Sequence, residues 1–142
     1  MTPFAFVFPG QGSQSVGMLD AWGEHPVVRQ TLQEASDALG EDVARLIHEG
    51  PKEALALTTN TQPVMLVAGV AAWRVWRAEG GELPAVVAGH SLGEYSALVA
   101  SGVLTLAQAA PLVIGVITRA DDERIEPKRV EYGYIGQPGG PL

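Results

Sequence analysis

Two short apolar runs are separated by a long region of helical periodicity. Residues 4–8 are aromatic or aliphatic and stop at Pro9 and Gly10, while residues 84–89 are apolar at nearly every position. Each run predicts a buried β-strand. An apolar pattern on both faces, as in the second run, is typical of a strand in a parallel sheet that is covered on both sides.

Apolar residues at helical spacing occupy most of the remaining sequence. The spacing, the prolines and the glycines predict helices over residues 26–39, 42–48, 63–78, 91–100 and 106–117. Strands that alternate with helices are typical of an α/β fold. Two strands are few for such a sheet, so the chain is either part of a larger domain or has lost strands that its parent supplies.

The pattern changes near Arg119. Residues 120–129 are charged and show no clean apolar period, and residues 132–142 include four glycines and two prolines. Such composition is typical of a linker or a tail. We therefore interpret residues 1–118 as the folded part and residues 119–142 as an irregular tail.

Composition excludes several classes of function. The chain has 142 residues, no cysteine and a net charge of −7. Disulfides, thiolate catalysis and cysteine-ligated metals are thereby excluded, and the lack of a basic run argues against nucleic acid as a partner. The longest apolar stretch, residues 63–73, is shorter than the roughly 20 residues of a membrane span. The N-terminus does not resemble a signal peptide, so we expect a cytoplasmic protein without membrane contact.

The strongest chemical signal lies at residues 89–93, which read Gly-His-Ser-Leu-Gly. A Gly-X-Ser-X-Gly motif between a strand and a helix is typical of a nucleophile elbow, in which a strained turn exposes the serine hydroxyl. Ser91 is therefore a candidate nucleophile, and the N–H of Leu92 is a natural donor to an oxyanion. His90 is a poor candidate for the base, because neighbouring side chains in such a turn point in different directions. His25 and His48 lie in helical surface patterns and are not candidates either.

A second glycine loop follows the first strand. Residues 9–14 read Pro-Gly-Gln-Gly-Ser-Gln and leave backbone N–H groups free to approach an anion or an oxyanion. A plain glycine turn would explain the same residues. The loop lacks the Lys-Ser/Thr ending of a P-loop and the glycine spacing of a dinucleotide site, so nucleotide binding is a weak alternative.

Three motifs taken together resemble one family. Residues 8–14 (Phe-Pro-Gly-Gln-Gly-Ser-Gln), 61–63 (Thr-Gln-Pro) and 89–94 (Gly-His-Ser-Leu-Gly-Glu) are similar to those of malonyl-CoA:acyl carrier protein transacylases and the related acyltransferase domains of polyketide and fatty acid synthases. The resemblance implies part of an α/β-hydrolase-like parallel-sheet core, without the family's small ferredoxin-like subdomain and its C-terminal part. It also implies that Ser91 carries the acyl ester and that the N–H groups of Gln11 and Leu92 form the oxyanion hole.

The mechanism that the resemblance implies is a two-step transfer. Ser91 would take the malonyl group from malonyl-CoA, and the phosphopantetheine thiol of acyl carrier protein would then accept it. No cofactor and no metal are expected, and the full-length protein is expected to be a monomer. Leu92 resembles malonyl-using rather than methylmalonyl-using members, and a chain that starts at Met1 slightly favours fatty acid over polyketide synthesis.

The resemblance ends near Val113. The family's carboxylate-binding arginine would fall by spacing at Val116, and Arg119 is about one helical turn out of register. The family's catalytic histidine lies in a second half that this chain lacks. Truncation, a shifted reading frame, an incorrectly recorded sequence, or a natural short protein with another use would each explain the abrupt change.

Two other functions stay open at the level of sequence. An α/β-hydrolase-type esterase shares Gly-X-Ser-X-Gly, although such enzymes often use a His-Gly-Gly-Gly loop where residues 9–12 read Pro-Gly-Gln-Gly. A non-catalytic fragment would retain the elbow without turnover, as the missing histidine and arginine suggest.

Overall fold

The computed structural model describes residues 2–120, 134–136 and 138. Within them, a three-stranded sheet has the order β1-β2-β3, with β1 at Ala5–Phe8, β2 at Val86–Gly89 and β3 at Tyr134–Gly136. β1 and β2 are parallel, with Ala5 opposite Val86 and Phe8 opposite Gly89, whereas β3 is antiparallel to β2. The predicted α/β class with a parallel sheet is confirmed, and the two predicted strands are direct neighbours in it.

The described residues include six α-helices and a short 3-10 helix at Asp20–Trp22. The α-helices are α1 Pro26–Leu39, α2 Val43–Glu49, α3 Lys52–Ala56, α4 Thr58–Ala78, α5 Gly93–Ala100 and α6 Leu106–Ala120. All five predicted helices are present, while α3 and the 3-10 helix had no clear sequence signal.

α4 begins earlier than predicted, so Pro63 lies inside the helix rather than in its first turn. The hydroxyl of Thr61 donates to the carbonyl of Leu57 at 2.9 Å, and the amide of Asn60 donates to the carbonyl of Ala54 at 3.0 Å. These side chains connect the first turn of α4 to the preceding turn of the chain. That support, which depends on α3, explains why the helix extends past the proline on its N-terminal side.

α1 has the predicted bounds because distinct residues mark both of its ends. Pro26 occupies the first turn, the ring of His25 accepts a hydrogen bond from the N–H of Val27 at 3.2 Å, and Gly40 ends the helix in the left-handed conformation with φ 67°. One face of the helix is buried and packs against α4, where Arg74 forms a 2.8 Å ion pair with Glu34.

Two apolar clusters form the core. The larger one joins α1, α4 and α6, and α4 is buried around much of its circumference, including Leu66, Val67 and Val70. The smaller one lies against the sheet and contains Phe8, Trp73, Val87, Ala97 and Ala100. Helices α4 and α5 thus cover the face of the sheet to which Phe8 and Val87 point.

The opposite face of the sheet is open in the described part of the chain. Val7 is 64 % exposed, and Val86 and Ala88 are only half-buried. The expectation that the second strand is covered on both faces is therefore wrong for these residues. β2 has the apolar pattern of a buried strand, but the described residues include no layer that covers its second face.

The predicted irregular tail lies mostly outside the described residues. Within its range, α6 continues to Ala120 and Tyr134–Gly136 pairs with β2. No helix in the described ranges is long and apolar enough to cross a membrane.

Candidate functional site

The turn between β2 and α5 holds Ser91 in an unusual backbone conformation. Its φ is 54°, and among the described residues it is the one non-glycine residue with a positive φ. For an L-residue this left-handed conformation costs about 1–2 kcal/mol. The turn is fixed by hydrogen bonds from the N–H of Gly93 to the carbonyl of His90 at 2.9 Å and from the N–H of Glu94 to the carbonyl of Ser91 at 3.0 Å.

Both glycines of the motif are required by the backbone itself. A Cβ on Gly89 would lie 1.9 Å from the carbonyl oxygen of Gly93, and a Cβ on Gly93 would lie 2.2 Å from the carbonyl oxygen of Phe8. Real Cβ atoms essentially never approach other atoms so closely. The groups that exclude a side chain at these positions are backbone atoms of the elbow and of β1.

The glycine loop that follows β1 lies directly against the elbow. The N–H of His90 donates to the carbonyl of Phe8 at 3.2 Å, and a Cβ built on Gly10 would be 3.2 Å from the carbonyl oxygen of His90 and 3.5 Å from Cβ of Ser91. The parallel pairing of β1 with β2 therefore brings the two sequence motifs together. A side chain larger than hydrogen at position 10 would press on the turn that carries Ser91.

Unused backbone donors lie on both segments near Ser91 in the described part of the chain. Within the described ranges, the N–H groups of Gln11 and Leu92 have no hydrogen-bond acceptor, while the next three N–H groups of the elbow are bonded. Leu92 precedes the first residue of α5, where free N–H groups and the helix dipole favour negative charge. The two candidate oxyanion donors thus lie on the two segments that meet at the elbow.

A side-chain contact supports the glycine loop from α4. The amide of Gln62 donates to the side-chain oxygen of Gln11 at 3.4 Å, and the N–H of Gly12 donates to the side-chain oxygen of Gln14 at 2.7 Å. From the sequence, Gln62 was identified only as part of the Thr-Gln-Pro motif, and no contact of its side chain was predicted. Because Gln11 and Gln62 are far apart along the chain, no local sequence pattern indicates their contact.

Glu94 and His90 carry titratable side chains beside the elbow. Burial raises the pKa of the Glu94 carboxyl, and the nearby His90 partly opposes that rise. The other two histidines are engaged elsewhere, since His25 pairs with Glu79 at 2.9 Å and His48 pairs with Asp20. No histidine nitrogen within the described ranges is hydrogen-bonded to Ser91, so these residues supply no positioned general base.

A cavity of about 230 Å³ lies behind the glycine loop. Pro9 and Ser13 of the loop, Met65 and Gly69 of α4, and Ser96 of α5 contribute to its lining, which is mostly apolar. Ser91 does not line this cavity.

Comparison with known proteins agrees with the motifs. The profile of the family described as acyl transferase domain matches residues 5–121. A Salmonella typhimurium protein named malonyl CoA-acyl carrier protein transacylase is 59 % identical over 114 residues, which are 80 % of this chain and 37 % of the relative. The chain therefore spans little more than a third of the length of the curated relatives it matches.

Solved structures give the same result at the level of the fold. An acyl-carrier-protein S-malonyltransferase from Burkholderia pseudomallei is 62 % identical with a TM-score of 0.78, over 80 % of this chain and 37 % of that protein. A malonyl-transacylase solved in complex with a type II PKS acyl-carrier protein is 56 % identical with a TM-score of 0.76, at the same coverage.

Proposed function

Because the chain belongs to the acyl transferase domain family, we propose that it supplies the nucleophile-bearing part of an enzyme that transfers a malonyl group from coenzyme A to acyl carrier protein. The observation that carries the proposal is the strained Ser91, with φ 54°, which precedes the unbonded N–H of Leu92 and lies close to the glycine loop that carries the unbonded N–H of Gln11. The printed names of the relatives support malonyl as the acyl group and acyl carrier protein as the acceptor.

In the proposed first step, Oγ of Ser91 attacks the thioester carbonyl of malonyl-CoA. The tetrahedral intermediate collapses with cleavage of the carbon–sulfur bond, coenzyme A leaves as the thiol after taking up the serine proton, and a malonyl ester stays on Ser91. The thiol of phosphopantetheine on acyl carrier protein then attacks that ester, which returns the proton to Ser91. The overall reaction exchanges one thioester for another and needs no cofactor.

The N–H groups of Gln11 and Leu92 are proposed to hold the oxyanion in both steps. Loss of one donor in such a site typically costs about 2.7–4 kcal/mol of transition-state stabilisation. Because one donor comes from the β1 loop and the other from the elbow, the hole depends on the close approach of the two segments, which leaves no room for a relaxed Cβ at Gly10. The carboxyl of Glu94, with its raised pKa, is close enough to His90 for the two to interact electrostatically.

The described residues contain a nucleophile without a positioned base. Loss of a triad member leaves a residual catalysis of about 10³–10⁴ over water from the oxyanion hole and binding. We therefore expect slow acylation of this chain by malonyl-CoA rather than rapid turnover. Hydrolysis, the reaction of the esterase alternative, would instead release malonate to water at a rate that acyl carrier protein does not alter.

Intact-protein mass spectrometry after long incubation with malonyl-CoA tests the proposal. We expect one malonyl adduct on the parent chain and on Ser15→Ala, a variant of an exposed serine, and none on Ser91→Ala. The adduct should disappear on addition of acyl carrier protein that carries phosphopantetheine, and persist with the form that lacks it. A folded parent chain without an adduct, or an adduct that survives in Ser91→Ala, would contradict the assignment.

A further inference from the structure

The cavity behind the glycine loop has an uncharged lining. Met18 lies before the 3-10 helix, Met65 and Ala72 belong to α4, and Ser96 belongs to α5. The space between these residues, here called the loop cavity, has a volume of about 230 Å³. None of the described residues that line it carries a charge. A ligand in the loop cavity would therefore contact mostly apolar groups and would find no ion-pair partner among them.

Ser96 places one buried polar group on the wall of the loop cavity. The residue is 2 % exposed, and its hydroxyl has no hydrogen-bond partner within the described ranges. A Cβ built on Gly69, which also lines the cavity, would lie 3.1 Å from Oγ of Ser96, so the hydroxyl lies on the side of α5 that faces this space. Among the described residues, no buried side-chain oxygen is both unbonded and sealed from solvent, so the loop cavity must reach this hydroxyl. Because buried hydroxyl groups are normally hydrogen-bonded, the free hydroxyl indicates that a ligand atom completes its bonding.

The size and the lining of the loop cavity determine the class of ligand that fits. An apolar cavity of about 150 Å³ holds a benzene molecule, so the loop cavity accommodates a somewhat larger one. An anion or a cation would lose its hydration without gaining a charged partner, and a water molecule needs about two to four polar partners. The flexible side chains of Met18 and Met65 adapt to apolar groups of different shape. These properties favour a neutral and mainly apolar ligand over water or an ion.

We propose that the loop cavity binds a small uncharged molecule with an apolar body and one hydroxyl group, such as an alkyl alcohol. The hydroxyl of the ligand forms a hydrogen bond with Oγ of Ser96, and its hydrocarbon part fills the space between α4 and the glycine loop. Pro9 and Ser13 of that loop line the cavity, so the ligand contacts the segment that carries Gln11. Ser91 does not line the cavity, so the binding is independent of the proposed acyl transfer.

The methyl groups of Met18 and Met65 provide a direct test, because both residues line the cavity. The protein is labelled with ¹³C at its methionine methyl groups and titrated with 1-hexanol in an NMR experiment. We expect both methyl signals to shift and to saturate with a Kd of about 1 mM, since burial of an alkyl chain supplies most of the free energy that this affinity requires. Hexanoate, which is charged at pH 7 and has a chain of the same length, should bind about tenfold more weakly or not at all.

Ala72→Leu and Ala78→Leu are matched substitutions on α4. Ala72 lines the cavity, whereas Ala78 is exposed at the end of the helix. The added carbons of Ala72→Leu should occupy the space of the ligand and abolish saturable binding, while Ala78→Leu should keep the Kd of the parent. Ser96→Ala removes the hydroxyl without filling the cavity, so 1-hexanol should bind about two- to tenfold more weakly. Circular dichroism verifies the fold of each variant, and Ser96→Ala decides the matter if Ala72→Leu does not fold.

Ser91→Ala separates the loop cavity from the proposed acyl site. This variant should bind 1-hexanol with the affinity of the parent, and a loss of binding would place the alcohol at the acyl site and overturn the proposal. A folded parent protein without saturable shifts, or equal affinity for 1-hexanol and hexanoate, would also overturn it. So would an unchanged Kd in Ser96→Ala, or equal weakening by Ala72→Leu and Ala78→Leu.

Discussion

Replacement of Ser91 by glycine and by alanine separates backbone strain from chemistry. Both variants lose the hydroxyl, but only glycine adopts a φ of 54° without the Cβ clash of the left-handed region. Relief of that clash increases the free energy of unfolding by about 1–2 kcal/mol. The greater conformational freedom of glycine in the unfolded chain lowers it by about 0.4–1 kcal/mol. We therefore expect Ser91→Gly to be more stable than Ser91→Ala by about 1 kcal/mol.

Urea unfolding followed by circular dichroism measures this difference, and thermal unfolding should show it as a shift of about 4 °C. The same pair of substitutions at Ser15, whose φ is not positive, provides a control in which the order reverses. There glycine should be less stable than alanine by several tenths of a kcal/mol or more. Equal stability of the two Ser91 variants, or a more stable alanine, would refute the claim that the elbow stores strain at this residue.

Two further predictions concern the same turn. Gly93→Ala should destabilise the fold by about 2–3 kcal/mol in urea unfolding and abolish malonyl labelling, because its Cβ would meet the carbonyl oxygen of Phe8 at 2.2 Å. Gly10→Ala is the control and should cost less than about 1 kcal/mol, because its nearest contact would be at 3.2 Å. Similar losses of stability in the two variants would contradict the prediction and show that the turn can relax. Burial raises the pKa of the Glu94 carboxyl above 4.5, so the folded state binds this proton more tightly than the unfolded state. The protonated carboxyl therefore contributes to the free energy of unfolding at low pH, and this contribution is lost as pH rises through the folded-state pKa. Glu94→Gln should therefore gain stability relative to the parent between pH 4 and pH 7, and a constant difference across that range would contradict the assignment.

Elements with strong local signals were predicted well from the sequence. α1 was predicted with its observed bounds, because Pro26 and Gly40 mark its ends and its apolar residues repeat at helical spacing. The strand–turn–helix around Ser91 was predicted because an apolar run, two glycines and a helical pattern follow one another directly. The family followed from the order of three short motifs, and the α/β class followed from the alternation of strands with helices.

Features that depend on distant parts of the chain were not predictable in this way. The early start of α4 depends on hydrogen bonds of Asn60 and Thr61 to carbonyls of α3 and of the residue that follows it, and α3 itself is too short to show a period. The contact of Gln62 with Gln11 arises only from tertiary packing. The open face of the sheet could not be anticipated either, because an apolar pattern specifies that a surface is suited to burial without specifying what buries it. The roles of Ser91, Gln11 and Leu92 stay predictions.

The parallel pairing of β1 with β2 also has a consequence for the order of folding. Parallel neighbours cannot be joined by a tight turn, and here helices α1–α4 separate the glycine loop from the elbow. Contacts so distant along the chain form late and slowly compared with local helices. We therefore expect Ser91 to adopt its strained geometry only after those helices have formed and the strands have aligned. In a refolding experiment, the far-ultraviolet circular dichroism of the helices should recover first. Malonyl labelling of Ser91 should recover later, when the strands have paired.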